Sequence, residues 1–408
     1  MKNLLINVKR LFFNRPNRVD SVIYICVLIL VGFGITMIGS ASIGSAGTSG
    51  AQVTIRTMTI QSGFVILGFI VMHLMIHFFK TEYLTHRLLM VAYWLGIASM
   101  FLCLLWEIKG AHAWIKIPGG FTIQPAEFMK ILMIVFISYC LTRIDGNFVH
   151  SSFKSIAQKE YYYREKCKRA VIHPTMYFLF VLFVGVVIQK DMGTMSILAA
   201  IGFCLFLATP RKYYRRFKVV ALVSIIIFIL LGIIFSVFFL ETYQIERIAS
   251  WLNPLGDPYD ASMQLVNALI AFANGGITGL GFGDSTQKFG YIPESHNDFI
   301  GAIAYEEFGI FAILLMIIPT VIIIFRFLKF ADKVEDECEK MILFGISTYF
   351  FMHLLINLGG ISGLIPMTGV PLLLVSYGGS SMLSCLMAVG LGQSIIKKYY
   401  QNHNYTNS

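Results

Sequence analysis

The chain has 408 residues, of which 57% are hydrophobic and only 13% are charged, and its mean hydropathy is +0.73. This composition excludes a soluble domain with a water-exposed surface and indicates a chain that is surrounded mostly by lipid. The net charge of +10 suits either a nucleic acid or an anionic membrane surface, and the positions of the basic residues decide between the two.

Ten apolar runs are long enough to cross a hydrocarbon layer of about 30 Å. The sequence therefore predicts an all-α integral membrane protein with ten transmembrane helices. In chain order, the runs lie near residues 21–39, 60–79, 87–106, 124–141, 172–189, 194–209, 217–240, 299–325, 341–358 and 373–396.

The basic residues predict how the chain is oriented in the membrane. Most of the 32 lysines and arginines fall between alternate pairs of predicted spans or in the two terminal segments. Cytoplasmic segments retain positive charge, so both termini are predicted to be cytoplasmic and nucleic acid is excluded as a partner. The predicted regions are a basic cytoplasmic N-terminus (1–19), a membrane domain (20–398) and a cytoplasmic tail (399–408).

The longest predicted outer segment, 241–298, lies between spans seven and eight, and long loops in compact proteins are usually functional. Its middle part, MQLVNALIAFANGG, has apolar residues at helical spacing and predicts a short amphipathic or re-entrant helix. The glycines that follow do not match the P-loop pattern and no strand precedes them, so they predict a flexible turn.

Ionisable residues within the spans are costly in hydrocarbon unless they are paired. Glu127 and Lys130 are three residues apart on one helical face near the start of span four, which predicts an ion pair or the lining of a polar cavity. Glu306 and Glu307 lie inside span eight, and at least one of them is expected to face the bundle interior and to accept hydrogen bonds.

Asp298 is predicted to open span eight, and two roles fit that position. A carboxylate at a helix N-terminus is favoured by the free N–H groups and the macrodipole, which is a capping role. A carboxylate at the outer membrane surface, beside a glycine-rich loop, also suits a group that accepts a proton from a sugar hydroxyl.

Several sequence segments together resemble the motifs of the SEDS family (FtsW, RodA and SpoVE). They are WIKIPGGFTIQPAEFMK (114–130), QKDMG (189–193), ERIASWLNPLGDP (246–258), YIPESHNDFI (291–300), EEFG (306–309) and VPLLLVSYGGSS (370–381). They occur in the family's order, and the resemblance covers nearly the whole chain. The segment GFGDSTQKFGYIPE (281–294) is more similar to the FtsW and SpoVE branch than to the RodA branch.

The resemblance implies a peptidoglycan glycosyltransferase of the bacterial cytoplasmic membrane. It would join lipid II units on the outer face, for septal wall synthesis, together with a class B penicillin-binding protein and the membrane proteins of the divisome. The family's essential aspartate corresponds to Asp298. The predicted substrate-binding or supporting residues are Trp114, Lys116, Glu127, Lys130, Arg247, Lys288, Glu294, His296, Ser376, Gly378, Gly379 and Ser380.

In the expected reaction, Asp298 removes the proton from the 4-hydroxyl of the acceptor sugar, which attacks the donor's anomeric carbon with inversion. The pyrophosphate leaving group needs positive charge rather than a second carboxylic acid. Lys116, Arg247 and Lys288 are the predicted outer cations, and a divalent cation such as Mg²⁺ or Mn²⁺ would supplement them. No nucleotide is expected, because the outer face has no nucleotide pool.

Other functions remain open at this point. A lipid II flippase is suggested by ten spans with buried charges, although a transporter should place its key charges near the middle of interrupted helices. A RodA-type polymerase for elongation and cell shape, and a scaffold that only positions the transpeptidase, are further alternatives. A scaffold would tolerate the replacement of Asp298.

Overall fold

The computed structural model describes residues 19–44, 50–108, 110–117, 121–143, 155, 172–209, 249–256, 262–293 and 295–405. Within these residues, seven helices are long and apolar enough to cross a membrane, and two shorter apolar helices span His173–Ile188 and Met192–Ala208. The predicted seventh span, 217–240, lies outside the described residues. The other predicted spans each coincide with helical segments, so the described part of the chain is mostly helical, as predicted. The count of ten spans stays a prediction.

The helices are numbered here in chain order over the described residues. They are α1 (Ser21–Gly44), α2 (Gly50–Phe78), α3 (His86–Leu102), α4 (Pro125–Arg143), α5 (His173–Phe183, continued as a π-helical turn over Val184–Ile188), α6 (Met192–Ala208), α7 (Met263–Gly275), α8 (Ile300–Phe308), α9 (Ile310–Lys333), α10 (Glu337–Ile361) and α11 (Gly379–Tyr405).

Short polar side chains fix the first turns of three helices. The Thr85 hydroxyl accepts from the third N–H of α3, the Asp191 carboxylate accepts from the Thr194 N–H of α6, and the Asp336 carboxylate accepts from two N–H groups of α10. Such caps satisfy donors that a helix leaves unpaired at its N-terminus.

The predicted span eight is not one helix, and this part of the prediction is wrong. The chain breaks at Gly309 (φ 60°, ψ −142°) between α8 and α9. The carbonyls of Glu306 and Glu307 accept from the N–H groups of Leu280 and Gly281, at 2.9 and 3.0 Å, instead of continuing a helix. Span eight therefore consists of a short helix, α8, that is bonded to the preceding loop, and a long apolar helix, α9.

Replacement of Gly309 by alanine should destabilise the protein, by about 1–3 kcal/mol from backbone strain alone. A Cβ at this position would also lie 2.2 Å from the Ile277 carbonyl oxygen. Thermal unfolding of the purified variant in detergent measures the loss. Gly63→Ala is the matched control, since a Cβ there meets nothing within 4 Å and alanine favours a helix. Equal stability of the two variants would contradict the prediction.

Charged side chains gather at the end of the bundle where α1 begins and α11 ends. Asp20 accepts from Arg326 Nε at 2.8 Å, and its backbone N–H and carbonyl both bond to the side chain of Gln393. Lys398 pairs with Glu82 at 2.9 Å. The start of the membrane domain and the end of α11 therefore lie side by side. The assignment of this end to the cytoplasm stays a prediction.

The opposite end of the bundle carries a small hairpin and the helix α7. Strands β1 (Ile115–Ile117) and β2 (Phe121–Ile123) pair antiparallel, with Lys116 opposite Thr122. In α7, Leu265 and Ala268 are buried and the Phe272 ring packs 5.0 Å from the Tyr305 ring. The prediction of a short amphipathic helix is confirmed, and the glycines after it form the predicted turn, four of them with positive φ.

Candidate active site

Asp298 lies in the turn that leads into α8, and its side chain is half-buried. The helix begins at Ile300, and Phe299 occupies the N-cap position without a side-chain cap. Asp298 therefore precedes the cap by one residue, which corrects the expectation that it opens the helix. A hydrogen bond from Asn357 Nδ2 of α10 reaches its peptide carbonyl at 2.9 Å.

The turn with Asp298 is joined to the SYGGSS segment (376–381), which leads into α11. Tyr377 donates its N–H to the His296 carbonyl at 3.0 Å, and the rings of these two residues lie 5.5 Å apart, edge to face. Asn357 also donates to the Val370 carbonyl at 2.8 Å. The structure thus brings together two motifs that are far apart in the sequence.

The SYGGSS segment is in turn bonded to the residues that open α4 and to α2. Ser380 Oγ accepts from the Gln124 N–H at 2.9 Å, and the Gly378 N–H donates to Gln61 Oε1 at 3.2 Å. Ser376 Oγ is buried and accepts from the Leu372 N–H. A Cβ on Gly379 would lie 2.5 Å from the Phe64 ring. These contacts fix the shape of the segment, so these four predicted residues support the site from within the fold.

Glu127 and Lys130 form the predicted ion pair, with 2.8 Å between Lys130 Nζ and Glu127 Oε1, and both side chains are almost fully buried. The pair belongs to a larger network. Lys130 also bonds His353 Nε2 at 2.9 Å and lies over the Tyr349 ring, and Glu127 Oε2 accepts from Ser384 Oγ. The charges are therefore satisfied by α4, α10 and α11 together.

Both glutamates of α8 face the interior, as predicted. Glu306 accepts four hydrogen bonds, and its partners all precede it in the chain: Asn274, Ser285, Thr286 and the backbone N–H of Gln287. Its carboxylate therefore holds the glycine-rich turn against α8.

Glu307 pairs with Lys288 at 3.0 Å, and this geometry corrects the role expected of Lys288. The ammonium group also donates to Ser40 Oγ at 3.0 Å and to the Gly283 carbonyl at 2.6 Å, so its three protons have protein partners. The side chain is only 1% exposed. Lys288 is therefore a structural cation, and it is not one of the cations available to a substrate.

Four further predicted residues remain: two lie at the β-hairpin, and two lie outside the described residues. Trp114 is half-buried directly before β1, and Lys116 is exposed on β1. Arg247 and Glu294 lie outside the described residues, so their roles stay predictions.

Asp191 is a further acidic group at this end of the bundle. Gln124 Nε2 donates to Asp191 Oδ2 at 2.6 Å, and the Thr194 N–H donates to Asp191 Oδ1 at 3.0 Å. Burial raises the pKa of this carboxyl group from its ordinary value, and the Thr194 hydrogen bonds oppose that shift. The QKDMG motif thus links α6 to the start of α4.

Sequence reasoning missed His353 and Asn357, which connect the buried pair and Asp298 through α10. The available signal was their spacing of four residues within the mostly apolar predicted span nine, which puts two polar side chains on one helical face. Among the described residues, no group of three or more His, Cys, Asp or Glu side chains is arranged to hold a metal ion.

Comparison with known proteins agrees with this arrangement. The family model for FtsW, RodA and SpoVE, described as cell cycle protein, matches residues 20–401. The chain belongs to the FtsW/RodA/SpoVE family. The match covers the motifs around Glu127, Asp298 and Ser380, so the resemblance seen in the sequence is confirmed.

Curated members of the FtsW/RodA/SpoVE family are similar over most of the chain. The probable peptidoglycan glycosyltransferase FtsW of Bacillus subtilis is 33% identical over 296 residues, which are 72% of this chain and 69% of that protein. Stage V sporulation protein E of the same organism is 34% identical over 286 residues, 69% and 70% of the two chains. The corresponding FtsW of Geobacter sulfurreducens is 31% identical and covers 95% of this chain and 96% of its own.

Solved structures of the family share the fold. Thermus thermophilus RodA aligns with a TM-score of 0.59 at 20% identity, over 95% of this chain and 99% of that one. A structure described as the structural coordination of polymerization and crosslinking by a peptidoglycan synthase complex aligns with a TM-score of 0.66 at 23% identity, over 94% and 99%. The chain is thus a multi-pass membrane protein with a RodA-like fold.

Proposed function

We propose that this chain is a peptidoglycan glycosyltransferase that polymerises lipid II into glycan strands on the outer face of the bacterial cytoplasmic membrane, for septal wall synthesis. The observation that carries the proposal is the position of Asp298. Its half-buried carboxylate lies in the turn that leads into α8, where this turn meets the SYGGSS segment and α10, at the end of the bundle opposite the charged end. The names of the FtsW relatives support the same reaction.

In the proposed reaction, the Asp298 carboxylate accepts the proton of the acceptor sugar's 4-hydroxyl. The oxygen then forms a bond to the anomeric carbon of the donor as the bond to pyrophosphate breaks, with inversion. Proton acceptance by a positioned carboxylate contributes about 10²–10⁴-fold in rate. Undecaprenyl pyrophosphate leaves as an anion, and Lys116 and Arg247 are the cations proposed to face it, since Lys288 is already paired.

A divalent cation, Mg²⁺ or Mn²⁺, belongs to the same proposal. Mg²⁺ is commonly held in part by substrate phosphates, so the pyrophosphate of the donor would supply part of its ligands. Its chemical contribution would be to stabilise the developing negative charge on the leaving group.

A lipid II flippase is the alternative that one observation favours. The break at Gly309, with Glu306 and Glu307 beside it, resembles the interrupted helices of transporters. Both carboxylates, however, are occupied: Glu306 accepts four hydrogen bonds and Glu307 is paired with Lys288. The break therefore closes the loop onto α8, which favours a structural role for it. An elongation role of the RodA type is distinguished from a septal role by the partner protein.

The proposed partner is a class B penicillin-binding protein that crosslinks the product, within the set of divisome membrane proteins. The structural relative whose description couples polymerization and crosslinking supports a partner of this kind.

The decisive experiment is polymerisation of lipid II by the purified full-length chain in detergent or nanodiscs, alone and with its transpeptidase partner. Glycan strands resolved by gel electrophoresis are the expected product. Movement of labelled lipid II across proteoliposome membranes without strand formation would support the flippase instead. A chain that neither polymerises nor moves lipid II, yet activates the transpeptidase, would be a scaffold.

A further inference from the structure

We propose that Asn357 is a positioning residue that holds Asp298 in its reactive orientation, by binding its peptide carbonyl and the Val370 carbonyl with one amide group. This inference rests on the proposed function, because it assigns Asn357 a role in the reaction of Asp298. The residue lies on α10 and touches the reacting carboxylate's own backbone.

Both protons of the Asn357 amide are engaged. Nδ2 lies 2.9 Å from the Asp298 oxygen and 2.8 Å from the Val370 oxygen. The side chain is 1% exposed, and its Oδ1 atom has no hydrogen-bond partner among the described residues. Burying an unpaired amide oxygen is unfavourable, but an apolar residue of the same size would leave both carbonyls without this donor. The two carbonyls are the feature that requires an amide here.

The second carbonyl belongs to a segment that is itself fixed. His353, one turn earlier on the same face of α10, bonds the Pro371 carbonyl through Nδ1 at 3.2 Å. Its Nε2 atom accepts from Lys130, which is paired with Glu127. The segment with Val370 and Pro371 is thus hydrogen-bonded to the buried network. Asn357 connects this segment to the turn with Asp298 by donating to both.

Asp298 lies outside the helix, so the orientation of its backbone depends on the contacts of the turn. Phe299 occupies the N-cap position, so the peptide between Asp298 and Phe299 is not part of the α8 hydrogen-bond ladder. Rotation of this peptide would move the attached carboxylate. A displacement of about 1 Å at a reacting group costs about 10²-fold in rate. The two hydrogen bonds from Asn357 therefore affect the rate by fixing the position of the Asp298 carboxylate.

The test compares Asn357→Asp and Asn357→Leu with the wild-type chain in lipid II polymerisation. Asn357→Asp keeps the shape and removes both N–H donors, and Asn357→Leu does so without adding a charge, should the first variant fail to fold. We expect kcat to fall about 10- to 100-fold while KM changes by less than about twofold. Asn267→Asp is the matched control, since Asn267 donates to a single loop carbonyl, that of Tyr291, at 2.8 Å.

A second readout does not depend on activity. Hydrogen exchange should show faster exchange at residues 295–301 in the Asn357 variants, with α7 unchanged. If the wild-type chain makes no glycan strands but this local change is found, Asn357 does hold the turn in place, and it is the proposed function that fails. Unchanged exchange at 295–301, a kcat within twofold of wild type, a rise in KM alone, or an equal kcat loss in Asn267→Asp would overturn the proposal.

Discussion

Replacement of Asp298 by asparagine is expected to reduce lipid II polymerisation by about 10²–10⁴-fold, the usual contribution of a positioned general base. Asparagine keeps the size of the side chain and leaves the peptide carbonyl to accept from Asn357, so the turn should remain folded. The measurement is the initial rate of glycan strand formation by the purified variant, with thermal unfolding recorded alongside.

Asp284→Asn is the matched control for this experiment. Asp284 is an exposed carboxylate in the loop that leads to Asp298, and its loss should leave the rate within about twofold. An Asp298→Asn variant that still makes strands at the wild-type rate would remove this residue from the chemistry. A variant that loses activity only because it unfolds at a lower temperature would point to a structural role.

Replacement of Lys130 by methionine is expected to lower the free energy of unfolding by about 3–5 kcal/mol. Removal of one partner of a buried ion pair leaves the other charge uncompensated in a medium that solvates it poorly. Among the described residues, Glu127 would keep only Ser384 as a side-chain donor, and His353 would lose the proton donor at its Nε2 atom. Chemical or thermal denaturation in detergent measures the loss.

Two comparisons make this result interpretable. In the double variant Lys130→Met, Glu127→Gln, neither position of this pair carries a charge, so much of the lost stability should return. Glu82→Gln serves as the exposed control: Glu82 is 57% exposed in its pair with Lys398, and such pairs contribute up to about 1 kcal/mol. A loss in Lys130→Met that is no larger than in Glu82→Gln would contradict the prediction.

Much of the site was predictable because many of its residues lie close together in short sequence segments. Glu127 and Lys130 share one helical turn, and that spacing by itself predicts the pair that the structure shows at 2.8 Å. The amphipathic pattern of α7 likewise predicts its buried face. The error at Lys288 had a different source. Its partner Glu307 follows a glycine-rich turn whose path over α8 is not encoded in any short pattern.

The sequence by itself determined that this protein lies in lipid, that it is mainly helical, and which family it belongs to. These follow from run lengths of apolar residues and from motifs whose residues are neighbours in the chain. It also indicated Asp298 as the reacting group, through the resemblance of the segment around it.

Only the tertiary structure decided what surrounds Asp298 and where span eight breaks. Asp298 is 59 residues from Asn357 in the sequence, and the two meet because their segments end at the same side of the bundle. The break at Gly309 depends on backbone hydrogen bonds to the loop at Ile277–Gly281. Hydropathy reports the free energy of a side chain in lipid, and it carries no information about which backbone groups satisfy one another.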